Sequence, residues 1–430
     1  MSTSLAQRVE LRVERLNRWS LSTKLMAIWS LLVAAFQLFT LPSAVLNMAV
    51  KVTDFQAFYR AGQWMLGPQT TPLYPLTSFA GYRGPPADLT LYLNPPHFLI
   101  AFSPLLSVPL RTAYLLFSVF TIACFFATLW VLRPFMQSWN PGQRFCAVAL
   151  LLGSPFLTAA VAQGTVSMPI TLCLAVVVSH DVQKRTDTWR GAALSGFCLS
   201  VLSMKPQYLL LIGLYLLARS QWKVLLVGAG ATAAWIAASV TAMGFEPWLR
   251  YPRYLQIFTQ HLDTYDMSDR SSYWVAEQMI NVRGVFVRVL SFSQAGLINT
   301  LSTAVLLLAG GITVTIGVRA RRGQLNGAVA WCLVMLTVLA TSGHANPPDG
   351  VTLMIPAVLG WSVLRSARLR KVFAWMIPTL TVIAYTTLGA QHRGSLPLLG
   401  LVLAGVTVAS LVGNRDSKAP MVSLRPLPAR

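Results

Sequence analysis

Asp54 stands in Lys51-Val-Thr-Asp-Phe-Gln-Ala-Phe-Tyr-Arg60, just past 26 consecutive residues without a charge. A carboxylate at the edge of an apolar segment is either a helix cap or surface charge, or a general base, because partial loss of water raises its affinity for a proton. Lys205, in Ser203-Met-Lys-Pro-Gln207, is nearly alone among apolar neighbours. An ammonium in that setting either snorkels to lipid headgroups or holds an anion, for which a lipid phosphate or Asp54 is the natural partner. Gln163-Gly164, Asn281-Val-Arg283-Gly and His344-Ala-Asn346-Pro-Pro-Asp349 are further polar interruptions of apolar sequence. His344 reads equally as an interfacial, hydrogen-bonded histidine and as a catalytic or phosphate-contacting one.

Asp263, Asp266 and Asp269 recur at a spacing of three. Such a run can hold a divalent cation, but without a supporting Glu or turn-glycine pattern it is read as a solvated acidic face, and no metal or other cofactor is expected. The five cysteines (Cys124, Cys146, Cys173, Cys198, Cys332) sit singly in apolar runs, with neither a CxxC nor a histidine at metal spacing, and are read as buried thiols. The chain lacks a Walker loop, a GxSxG and an HExxH. Nucleotide hydrolysis, α/β-hydrolase chemistry and zinc proteolysis therefore have no support.

The elements that must position these groups follow from composition. Hydrophobic residues make up 55% of the 430 positions and charged ones 11%, so the chain cannot clothe itself for water and its solvent is lipid. The net charge of +21 does not imply nucleic acid, because the basic residues punctuate hydrophobic runs instead of forming one patch. The uncharged stretch between Lys24 and Lys51 exceeds the ~20 residues a membrane helix needs. It is too long for a signal-peptide core and lacks a small-residue cleavage site, so it is read as a retained first helix. Further charge-poor runs are read at 112–132, 145–161, 166–179, 191–204, 206–218, 224–243, 297–318, 325–342, 351–364, 372–390 and 396–412. The expected fold is all-α, a polytopic transmembrane bundle of about twelve helices. Residues 191–204 and 206–218 are short for spans and meet at Lys205-Pro206, where proline removes a backbone donor, so they are expected to form paired short helices around a cavity. Residues 96–110 are expected to re-enter or lie at the interface.

With a cytoplasmic N-terminus, 23 of 34 Lys and Arg fall in cytoplasmic segments, which supports that orientation. Eight of thirteen acids then lie outside, seven of them in the long outer loops 51–95 and 244–294 and the eighth Asp349, and loops of that length are more often functional than connective. Residues 1–24 form an amphipathic cytoplasmic segment suited to an anionic leaflet, 25–412 the transmembrane domain, and 413–430 a cytoplasmic tail. Five polar elements distant in sequence thus reach one face under a topology drawn from different residues, which points to a composite site.

Asp54-Phe55, Phe58-Tyr59, Ala61-Gly62, Leu73-Tyr74-Pro75 and Tyr92-Leu-Asn-Pro95-Pro96 resemble the first outer loop of glycosyltransferase family 87, and Gln163-Gly164 and Lys205-Pro206 resemble its Gly-Gln-like and Lys-Pro elements. Phe58 stands where that family often has tyrosine, and Leu93-Asn94 interrupts a usual Tyr-Pro-Pro. The resemblance implies a GT-C fold and inverting sugar transfer outside the cytoplasmic membrane, with the aspartate after the first helix, here Asp54, as base.

The expectation is an enzyme of the bacterial inner membrane, with both termini cytoplasmic, that moves a hexose, mannose first among them, from polyprenyl phosphate to a glycan or glycolipid acceptor. Lys205, Arg283 and His344 are the candidates for holding the donor phosphate, and Phe55, Tyr59, Tyr74, Tyr92, Gln163, Asn281 and Asn346 for contacting substrates. A polyprenyl phosphate leaves as a stable anion, so one base suffices where a glycosidase needs two carboxylates, and no metal is obligatory. The competing readings are a flippase or transporter of lipid-linked sugars, and an O-antigen ligase or polymerase using a diphosphate donor. A purely structural subunit leaves the charged outer loops without a purpose.

Overall fold

The structure, a computed structural model, describes residues 21–48, 54–67, 72–74, 92–260, 280–290, 294–342 and 345–363. Among these every regular element is helical: α1 (Leu21–Met48), α2 (Asp54–Leu66), α3 (Phe98–Phe102), α4 (Leu110–Leu132), α5 (Pro141–Leu152), α6 (Pro155–Gln163), α7 (Ser167–Val182), α8 (Trp189–Val201), α9 (Pro206–Ala218), α10 (Trp222–Met243), α11 (Glu246–Gln260), α12 (Val282–Leu290), α13 (Ala295–Arg321), α14 (Gly327–Thr341) and α15 (Met354–Val363). Short 3-10 segments extend several of them, notably Leu202–Met204 and Pro347–Leu353. The amphipathic N-terminal segment as far as residue 20, most of the loop before Tyr92, Asp263, Asp266 and Asp269, His344, the last two expected spans and the C-terminal tail lie outside the described residues.

Four stretches are long and apolar enough to cross a bilayer: Ala27–Leu46, Leu110–Met136, Trp222–Met243 and Gly296–Arg321. Their 20 to 27 residues reach about 30 to 40 Å at the helical rise. Large apolar side chains stand exposed along them, Phe39, Trp130, Leu226 and Leu307 included, as lipid-facing positions require. Their hydroxyls turn inward to their own backbone: Thr121 donates to the Phe117 carbonyl and Thr128 to that of Cys124.

The described residues hold fewer full-length spans than the twelve expected of the whole chain, and the last two of those lie outside them. The run at 145–161 is not one helix but two, α5 and α6, bent by 43°. Gly153 ends the first, Ser154 caps the second and Pro155 begins it without an N–H, so the backbone ladder cannot continue. Counting that bent pair as one gives five spans among the described residues. Helices α7, α9 and α14 are apolar but shorter than a span, and Phe98–Ser107 is a ten-residue apolar piece beginning with α3. Cys124, Cys146, Cys198 and Cys332 are buried, and Cys173 is partly exposed.

Helix α7 is the axis of the core. It packs on α4 and α8, while α8 packs on α10 and α9 on α13. At its C-terminal end the buried Asp181 takes Arg219 Nη2 at 3.0 Å and the Trp331 Nε1–H at 2.7 Å, fastening α7 to α14 and to the end of α9. The Trp331 ring meets Tyr215 edge-on at 4.6 Å. Ser167 opens the other end, about 20 Å away at the helical rise.

Candidate functional site

The chain breaks where Lys205 precedes Pro206. A residue before proline is disfavoured in helical conformation, and Lys205 sits at φ −126°, ψ 78° between the Leu202–Met204 turn and α9. Its ammonium bonds Ser167 Oγ at 3.1 Å and pairs with the Asp349 carboxylate, which is almost fully buried. Ser167 donates to Asp349 Oδ1 at 2.6 Å, Thr165 Oγ1 donates to Ser167 Oγ at 3.2 Å, and the Asn346 N–H reaches Asp349 Oδ2 at 3.1 Å. This polar cluster draws on three stretches that sequence holds far apart. Lysine and serine in contact invite comparison with a nucleophilic dyad, but that chemistry needs a neutral amine as base. Here the Lys205 nitrogen is paired with Asp349, and the Ser167 hydroxyl donates to that same carboxylate, so the arrangement is an ionic anchor.

Asp54 begins α2 beside this cluster. Phe55 follows it and packs directly on the turn after α6. Gly164 there has φ 63°, and a Cβ on it would lie 2.6 Å from Phe55 Cβ, so glycine serves both the left-handed backbone and the close approach. Tyr114 secures the same turn by donating to the Ala162 carbonyl at 2.6 Å. Gly350 is the counterpart beside Asp349, since a Cβ there would meet the Phe156 ring at 2.5 Å. The two close contacts set the start of α2 against the turn after α6 and the Pro347–Leu353 segment against α6 itself.

The two carboxylates differ in their surroundings. Burial pushes the Asp54 carboxyl up to about 6; Lys205 draws it down and Asp349 pushes it further up, so both lie within electrostatic reach. No hydrogen bond holds Asp54 among the described residues. For Asp349, burial works upward but the Lys205 ammonium, with bonds from Lys205, Ser167 and Asn346, more than reverses it, and its carboxyl is held below the usual range. Paired acids pushed apart in this way take different roles: Asp349 stays ionised as a fixed counter-charge, and Asp54 is the one with useful proton affinity near neutrality.

The other expected site residues divide. Gln163 closes α6 one residue before Gly164, and Asn346 contributes its backbone to Asp349. Arg283 is not brought to the cluster but turns to Asn299 Oδ1 at 2.8 Å on α13. Asn281 is occupied in structure: its side-chain amide donates to the Ser342 carbonyl at 2.6 Å and accepts from Gly284 N at 2.9 Å, tying α12 to the end of α14. Phe55, Tyr59, Tyr74 and Tyr92 are buried. The tyrosine hydroxyls donate to the carbonyls of Val108 at 2.7 Å, Asn94 at 2.6 Å and Pro95 at 3.0 Å, so they brace the stretch between α1 and α4 against itself.

Ser167 and His97 are not among the expected site residues, and Asp349 enters the sequence reading only as one of the eight outer acids and as the end of the His344–Asp349 polar stretch. The Pro-Pro-Asp349 and Pro-Pro-His97 sequences were the available signals, each a rigid entry to a helical turn. His97 Nε2 lies 2.8 Å from Ser203 Oγ, and the ring stacks on Trp248 at 5.5 Å. Burial lowers the imidazole to about 4, so it is neutral at ordinary pH, and it links the segment before α3 to the turn that presents Lys205. Ser203 itself donates to the Ser200 carbonyl at 2.5 Å.

Among the described residues no group of His, Cys, Asp or Glu is arranged to hold a metal ion. The family model described as glycosyltransferase family 87 matches residues 92–342. No curated protein and no solved structure matches the chain.

Proposed function

Since the chain belongs to glycosyltransferase family 87 and is a membrane glycosyltransferase by that membership, we propose that it transfers a hexose from a polyprenyl-phosphate donor to a glycan or glycolipid, with inversion and with Asp54 as general base. The observation that carries the proposal is the placement of Asp54 within electrostatic reach of an anchored cation, Lys205, drawn from a remote part of the chain.

In the proposed step the acceptor O–H gives its proton to the Asp54 carboxylate as its oxygen bonds to the anomeric carbon. The bond from that carbon to phosphate oxygen breaks, its electron pair leaves with the polyprenyl phosphate, and the proton passes to water. Ammonium has three N–H donors, and among the described residues Ser167 and Asp349 engage two of those on Lys205, which leaves a third for the developing charge on phosphate. A base whose carboxyl titrates near 6 suits an alcohol acceptor at neutral pH better than an ordinary surface aspartate does. The reaction is proposed for the outer face of a bacterial inner membrane with both termini inside, because Lys and Arg concentrate in the opposite set of loops. Mannose is the first sugar to test, and His344 a second candidate contact for the phosphate.

The test is transfer in proteoliposomes supplied with polyprenyl-phosphate and polyprenyl-diphosphate sugars. Turnover with the monophosphate, lost in Asp54→Asn while donor still binds, supports the proposal. Full turnover by Asp54→Asn removes the base, preference for the diphosphate points to a ligase or polymerase, and movement of intact donor across the bilayer without transfer points to a flippase.

A further inference from the structure

We infer that Asp349 is a positioning residue for the transfer reaction: with Ser167 and Asn346 it anchors the Lys205 ammonium and takes up part of its charge, so that Asp54 faces a partly neutralised cation instead of a free one. The inference rests on the reading of Asp54 as base and adds a residue to it.

Geometry supplies the argument. Lys205 stands at a break between helices with no regular backbone to aim it, so its long side chain needs an external fixture. Asp349 is that fixture, and it is itself rigid. One carboxylate oxygen takes Lys205 and Ser167, the other takes the Asn346 N–H, and Gly350 beside it lies against the Phe156 ring. A cation left unshared beside Asp54 would hold that carboxylate ionised and blunt it as a base. A lone Asp349 without Lys205 would do the reverse and keep Asp54 protonated. The pair together leaves the base close to neutral surroundings and fixes the ammonium in place.

Other titratable groups on the packed elements do not substitute. His97, from the segment before α3, is neutral and engaged with Ser203. Tyr114 of α4 is committed to the Ala162 carbonyl, and Tyr59, on the same helix as Asp54, to that of Val108. Tyr208 of α9 is fully buried beside Asp349. Among the described residues, the charges that act on Asp54 are therefore Lys205 and Asp349.

The experiment reads the protonation of Asp54 directly, by the pH dependence of dicyclohexylcarbodiimide labelling of its peptide in the full-length protein, measured by mass spectrometry. The reagent requires a protonated carboxyl, so inactive variants remain measurable. Asp349→Asn is expected to move the labelling midpoint down by roughly one pH unit, Lys205→Met to move it up by a similar amount, and the double variant to restore it. The acid limb of kcat/KM follows the same shifts wherever turnover remains. If Asp349→Asn does not fold, Lys205→Met and the double variant carry the test, because removing both partners leaves no unpaired buried charge. A midpoint that stays in place in Lys205→Met or Asp349→Asn overturns the inference. Asp54→Asn with full turnover overturns the base reading instead, and the two failures are separate measurements.

Discussion

Replacing Gly164 with alanine tests whether the site depends on the seating of α2. The added Cβ would stand 2.6 Å from Phe55 Cβ and 3.3 Å from the Phe55 ring and the Tyr114 ring. Ordinary carbon contacts are about 3.5 to 4.0 Å, so Phe55 has to withdraw by about 1 Å. Phe55 is locked among Phe102, Tyr114 and Phe117 at ring separations of 5.4 to 5.5 Å and cannot rotate out of the way, so the start of α2 moves with it. Asp54 is the adjoining residue and shares the displacement. Misplacing a reacting group by about 1 Å costs on the order of 10²-fold in rate, while the left-handed backbone at position 164 adds roughly 1 to 2 kcal/mol of strain to the folded state. The expected result in proteoliposomes is a kcat about 10²-fold lower with a well-folded, slightly less stable protein, and little change in donor KM. Gly213→Ala is the control, because a Cβ at that position meets nothing within 4 Å. A Gly164→Ala enzyme with kcat within about twofold of the parent, well short of the predicted loss, refutes the reasoning.

The pH profile carries a defined sign: Asp54 must be ionised to accept a proton, so kcat/KM is expected to fall about tenfold per unit below pH 6 and to level above it, and a flat profile from pH 5 to 7 counts against the base. Because folding raises this carboxyl from 3.8 to about 6, the native state binds its proton more tightly than the unfolded chain; stability from this group is present at low pH and is lost as pH rises through 6. Arg219→Met strands the Asp181 carboxylate and should cost about 3 to 5 kcal/mol, read as a lower thermal midpoint in detergent with an unaltered donor KM; an unchanged midpoint refutes that role. Tyr59→Phe removes the bond to the Val108 carbonyl and should cost about 1 kcal/mol of stability, whereas a tenfold rise in KM at full stability would make Tyr59 a substrate contact.

The residues most legible in sequence were those that broke a local pattern. Asp54 after a long uncharged run, Lys205 before a proline and Gly164 after a polar residue all stand out against apolar neighbours, and the structure puts all three at one end of α7. The aromatic residues between α1 and α3 were visible for the same reason, but their occupation was not. A tyrosine in a loop looks alike in sequence whether its hydroxyl meets a sugar or, as for Tyr74, the carbonyl of Asn94. Arg283 illustrates the converse: its charge was plain, its direction toward Asn299 was not.

Sequence by itself therefore determined the helical class, the membrane as solvent and the break at Lys205-Pro206, because hydrophobic run length and proline chemistry act over a few neighbouring residues. Tertiary structure alone decided that Lys205 is met by Asp349, 144 positions away, with Ser167 between them, and that the run at 145–161 bends. An ion pair of that kind depends on which helix ends abut, and the abutment is set by close contacts such as Phe55 on Gly164 and Phe156 on Gly350, whose fit is a property of packed surfaces and leaves no periodic trace along the chain.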